Sequence, residues 1–133
     1  MTSKVTYLGD LRTSSVHLQS GSEIISDAPI DNNGKGEAFS PTDTVANALA
    51  SCMLTIMGIK ARDMGISLEG SEAEVTKSMQ AAPRRISGIK VTFYMKSNAD
   101  EKARTILERA AFTCPVYQSL HPDIEKDVTF NWG

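Results

Sequence analysis

The sequence predicts an α+β domain in which antiparallel strands wrap around one long, buried central helix. Three observations carry this. Segments rich in β-branched and alternating residues fall into two separate blocks, residues 4–26 and 66–96. Between them lies an apolar stretch with helix signals at both ends, residues 40–65. A second, amphipathic helical pattern and a short strand then close the chain. The order βββ-α-ββ-α-α-β lacks the strict alternation of a doubly wound sheet. With 133 residues, 41% hydrophobic and 23% charged, the chain suits one soluble domain spanning residues 1–133.

Residues 4–8 and 12–19 read as strands joined at Gly9-Asp10, and residues 23–26 as a third strand after the Ser20-Gly21 turn. The simplest arrangement is an antiparallel meander. Residues 27–39, DAPIDNNGKGEAF, form a loop, because Pro, Asp, Asn and Gly at this density cannot hold a ladder. Ser40 is then a good N-cap, Pro41 suits the first helical position, and Asp43 stands where a capping box places its carboxylate. Lys60 and Arg62 sit in the last turns, where cations are favoured, and Gly65 is a left-handed stop. Val45, Leu49, Cys52, Met53, Ile56, Met57 and Ile59 leave no broad polar face, so this helix is expected to be buried all round. Its Ser, Thr and Asn interruptions argue against a bilayer span.

Residues 66–79 and 86–96 read as strands around a turn at 80–85, the second with Ile89, Val91, Phe93 and Met95 on one face. Residues 101–113 show an apolar stripe of Ala103, Ile106, Leu107, Ala110 and Ala111 at helical spacing. A short helical piece follows Cys114-Pro115, and residues 128–132 are the last strand.

A formal net charge of −2 with scattered basic residues gives no reason to expect nucleic acid. The start, MTSKVTYLGD, has no apolar core of a leader peptide, so a cytoplasmic setting is expected. His17 and His121 have no ligand pair at finger-like spacing, Gly34-Lys35-Gly36 is no complete phosphate loop, and no metal is expected. Met53, Met57 and Met64 are core filler, or the lining of an apolar substrate pocket.

The two cysteines hold the chemical interest. Taken alone, Cys52 reads as a small hydrophobe in an apolar helix. Cys114, just before Pro115, is either a packed helix-boundary residue or a thiol at a helix N-terminus, where N–H groups and dipole lower its pKa. No CxxC is present, and the spacing alone does not say whether the two meet.

SPTDTVANALASCM followed much later by CPVYQSL resembles the OsmC/Ohr family of thiol peroxidases, most nearly its OsmC-like branch. YLGDLRT, GKGEAFSP and PRRI extend the similarity over essentially the whole chain. The resemblance implies an OsmC-like fold, an intertwined homodimer with sites at the subunit interface, and no cofactor. It implies that Cys52 is the peroxidatic and Cys114 the resolving thiol. The substrate would be an organic hydroperoxide, with an external dithiol as reductant. It also implies that Arg12, in LRT, activates the thiolate and is held by a carboxylate at the start of the central helix. Here the chain departs from the family, whose Asn-Pro-Glu is replaced by Ser40-Pro41-Thr42-Asp43. Asp43 comes one position later and is one methylene shorter, and Glu37 in the preceding loop is a second candidate partner for Arg12. The departure keeps an alternative in play: a redox-sensing or small-ligand-binding dimer with weak or no peroxidase activity.

Overall fold

A computed structural model describes residues Met1–Gly133, which divide into two compact units, Met1–Val45 and Ala46–Gly133. The architecture is α+β, with two three-stranded sheets and three α-helices.

In the first unit β1 (Ser3–Gly9), β2 (Arg12–His17) and β3 (Glu23–Asp27) pair antiparallel in chain order, the expected meander. Its only fully buried residues are polar, Asp27 and Ser40. Val5, Tyr7 and Ile24 are more than half exposed, and register places Val5, Ser15 and Ile24 side by side on one face. This unit therefore has no apolar core of its own. Hydrogen bonds organise its loop instead: Asp27 N donates to Phe39 O (3.1 Å), and Gly36 N to Ala28 O (3.2 Å). Gly34 is required there, because a Cβ would collide with the Ala28 carbonyl.

Helix α1 (Pro41–Asp63) is closed by local chemistry at both ends. Ser40 and Asp43 form a reciprocal capping box, Asp43 N donating to Ser40 Oγ (3.0 Å) and Ser40 N to Asp43 Oδ2 (3.1 Å). At the other end Gly65 takes φ +69°, Gly65 N donates to Arg62 O (3.1 Å) and Ile66 N to Ala61 O (2.8 Å), a Schellman stop. Burial departs from expectation. Only Ala46, Leu49, Ala50, Met53, Met57 and Ala61 are buried, a single stripe, while Val45 and Ile59 are 39% and 53% exposed. The helix is apolar all round, but within one chain it is covered on one side. By length and composition it could cross a membrane; the buried stripe instead seats it in a folded core.

In the second unit β4 (Glu72–Gln80) pairs antiparallel with β5 (Arg85–Met95), and β6 (Glu125–Trp132) pairs with β5 in parallel. The sheet is thus mixed rather than wholly antiparallel. The cause is the connection from β5 to β6, which carries α2 (Glu101–Ala111) and α3 (Pro115–Ser119) and returns the chain to the end from which β5 started. Leu49, Met53 and Met57 pack with Ile89, Val91, Phe93, Ala111 and Cys114 in one core, where Phe93 stacks on Phe130 at 5.1 Å.

The largest boundary shifts are at the starts of β4 and β6. Residues 66–71 are not strand, because Ile66 and Leu68 pack with Ala61 and Leu107 after the helix stop, and Gly70 (φ +89°) turns the chain into β4. β6 begins before the apolar run, because Glu125 and Asp127 face solvent while Lys126 donates its ammonium to the Ile124 carbonyl (3.0 Å).

Candidate functional site

Each unit carries one group of chemically pointed side chains. In the second unit these are the thiols. Cys52 lies mid-helix in α1, half-buried and packed against the core cluster; Cys114 is fully buried, and both are free. Cys114 is the N-cap of α3, its Sγ accepting the Tyr117 backbone N–H at 3.2 Å. Pro115 occupies the first helical position, which needs no donor. Cys52 packs against the same core cluster that holds Cys114, close enough to raise the pKa of the Cys114 thiol. The fold thus brings together two thiols distant in sequence.

Of the two readings that the sequence left open for Cys114, its ionisation favours the packed thiol over the helix-stabilised thiolate. Burial pushes it above its ordinary 9.0, and although the Tyr117 and Val116 backbone N–H groups pull it down, the neighbouring Cys52 sulfur adds to the rise. A five-residue helix offers too little compensation for complete desolvation. Cys114 is therefore a protonated, apolar-shielded thiol. Packed against the core cluster that holds it are Val116, Leu120 and an aromatic group in which Phe112 meets Tyr117 (5.4 Å) and Phe130 (6.1 Å) edge-on.

In the first unit the focus is Arg12. Its guanidinium forks onto Asp27, Nε donating to Oδ1 at 2.7 Å and Nη2 to Oδ2 at 2.8 Å, and Nη2 also reaches Glu37 Oε2 at 3.2 Å. These two carboxylates hold the guanidinium above its ordinary pKa, and Arg12 in turn holds Asp27 below its ordinary 3.8. Glu37, the second candidate, is thus a partner of Arg12. Asp43, the first, has its carboxylate on the Ser40 amide, doing the work of a cap.

Asp27 was not among the residues that sequence reasoning selected. The signal was available in the hairpin: once the β2–β3 turn is placed, register sets Arg12 directly opposite Asp27. Met53 and Met57 are fully buried core rather than pocket lining. Two clefts of the second unit, of about 480 and 460 Å³, have neither cysteine in their walls, though Met64 lines the smaller one. His17 Nδ1 is bonded to Ser20 Oγ (2.6 Å), and His121 Nδ1 accepts the Asp123 amide (3.0 Å).

The family model described as OsmC-like protein matches residues 34–129. No curated protein matches the chain. Among solved structures, a Psychrobacter arcticus protein named for osmotic stress induction and detoxification response shares 59% identity, with 98% of this chain and 96% of that one covered and a TM-score of 0.95. An organic hydroperoxide resistance protein OsmC from Legionella pneumophila matches at 17% identity, 98% and 97% coverage and TM-score 0.75. The organic hydroperoxide resistance protein OhrB of Bacillus subtilis matches at 18% identity, 98% coverage of both chains and TM-score 0.67. At these lower identities the likeness is one of fold.

Proposed function

Since the chain belongs to the OsmC-like protein family, we propose that it is a cofactor-free thiol peroxidase that reduces organic hydroperoxides in defence against oxidative stress. The observation that carries this is the thiol pair: Cys52 half-buried on an apolar helix, beside a fully buried, protonated Cys114. Hydroperoxide resistance is also named for relatives of the same fold.

The thiolate of Cys52 attacks the terminal oxygen of the hydroperoxide, the O–O bond breaks, and the alkoxide leaves as the alcohol after taking a proton. Cys52 is left as sulfenic acid. The Cys114 sulfur then attacks the oxidised sulfur, an S–S bond forms, and water departs. An external dithiol returns both cysteines to thiols with its own two electrons, itself becoming a disulfide. Arg12 is the cation that favours the Cys52 thiolate. An apolar setting around the pair favours an organic over an inorganic peroxide.

The active form is a homodimer acting in the cytoplasm, each chain contributing residues 1–133 as one functional domain. Two features support the dimer: α1 is open on one face, and the first unit exposes Val5, Tyr7 and Ile24 without an apolar core of its own. A second reading, a redox-sensing or ligand-binding dimer, is favoured by one observation. Arg12 is shared between two carboxylates, Asp27 and Glu37, which offset its positive field.

Anaerobic titration of the reduced protein separates the readings. With cumene hydroperoxide, both thiols should disappear into an intramolecular disulfide faster than with hydrogen peroxide. Cys52→Ser should abolish the reaction, and Cys114→Ser should stop it after one turnover at the sulfenic acid. Thiols that react no faster than free cysteine would refute the peroxidase and leave the sensing or binding role.

A further inference from the structure

We propose that Asp27 is the residue that positions Arg12, in the place of a carboxylate carried by the central helix. This deepens the peroxidase reading and rests on it. Three observations favour Asp27 over the other carboxylates. First, Arg12 and Asp27 are directly opposite on paired antiparallel strands, so both backbones are fixed by the same ladder and both side chains emerge on one face. Second, the contact is a two-point fork that sets the plane of the guanidinium as well as its position, whereas Glu37 offers one oxygen at 3.2 Å. Third, Asp27 is 1% exposed and Glu37 65%. A shielded carboxylate is a fixed anchor, and an exposed one on a glycine-flanked loop can exchange with water.

Asp27 is itself held on the loop side. Its Oδ2 accepts the Glu37 backbone N–H at 3.2 Å, and its own N–H donates to Phe39 O at 3.1 Å. Asp27, at the end of β3, therefore joins β2 and the segment leading to α1, and turning its carboxylate would break both the fork to Arg12 and the bond from the Glu37 amide. Asp43 has a different duty, closing the capping box with Ser40.

Removing the Asp27 charge has two consequences of opposite sign, and this makes the role testable. As a mere neighbouring anion, Asp27 weakens the field of Arg12, so Asp27→Asn should speed the reaction of Cys52. As a positioning residue, its loss frees the guanidinium and should slow it. We expect slowing by about tenfold or more, since small misplacements of an activating group carry penalties of that order.

The experiment uses the full chain in a Cys114→Ser background, where Cys52 is the only thiol. Its single-turnover oxidation by cumene hydroperoxide is followed from acid to mildly alkaline pH, with circular dichroism reporting folding. Asp27→Asn and Arg12→Ala should each slow the reaction and move its pH midpoint upward, and the double variant should be no slower than the worse single one. Asp27→Asn reacting at the parent rate or faster, beside a slow Arg12→Ala, would overturn the role of Asp27 while leaving that of Arg12 intact. Parent rates in both would overturn the role of Arg12 and this proposal with it. Should Asp27→Asn fail to fold, Arg12→Lys carries the test, because it keeps the cation and removes the fork. Loss as deep as in Arg12→Ala supports the positioning role, and the parent rate refutes it.

Discussion

The open face of α1 gives a stability experiment whose magnitude follows from two residues of the same helix. Leu49 is 0% exposed and Ile59 53% exposed within one chain. Leu49→Ala removes buried methyls and leaves a cavity, which should cost about 2–5 kcal/mol. Full burial of an Ile contributes about 1.5–3 kcal/mol, and roughly half of that is realised at Ile59, so truncation should cost about 1 kcal/mol for a chain acting alone. If a second copy covers this face, the cost of Ile59→Ala rises toward the Leu49 value. The unfolding midpoint then also rises with protein concentration, because association stabilises only the folded state. The homodimer reading expects both effects. Urea unfolding followed by circular dichroism, at two protein concentrations a hundredfold apart, measures them. A cost near 1 kcal/mol with a midpoint indifferent to concentration would refute the argument that a partner covers α1.

Two further predictions concern pH. Cys114 stays neutral in the fold above its ordinary 9.0, so its contribution to stability is complete below that value and fades as pH rises through the folded-state value. The urea midpoint of the reduced protein should therefore fall more steeply above pH 9.0 than that of Cys114→Ala, and parallel curves would contradict the shielding of this thiol. Asp27 has the opposite sense: held below 3.8 by Arg12, it contributes stability that is present above that value and lost as pH falls through the folded-state value. Acid titration by circular dichroism should show Asp27→Asn less stable than the parent at neutral pH and converging with it in acid. A constant gap down to the lowest pH would refute the ion pair as the cause.

Much of the fold was legible because its signals are local. The Ser40–Asp43 capping box, Pro41 at the helix start and Gly65 at its stop each act on backbone groups within a few residues, and all three did so as read. The meander, α2 and the short helix behind Cys114-Pro115 followed from periodicity and turn chemistry in the same way. The motif around each thiol was also readable in the chain itself.

What tertiary structure decided depends on neighbours distant along the chain. Whether an apolar helix is covered on all sides is set by what packs on it, and one chain covers only the stripe from Ala46 to Ala61. The direction of β6 depended on where α2 and α3 return the chain. The ionisation of Cys114 was decided by a contest between desolvation and hydrogen bonding, and complete burial outweighs what a helix of five residues supplies. The partner of Arg12 was decided by strand register, which brings Asp27 across from it, while Asp43 closes its own helix. Sequence by itself determined the helix ends, the turns and the motif around each thiol, because residue type and local backbone preference are properties of short segments. Only the folded chain determined their charge states and partners, because burial and pairing are properties of the space that the segments come to share.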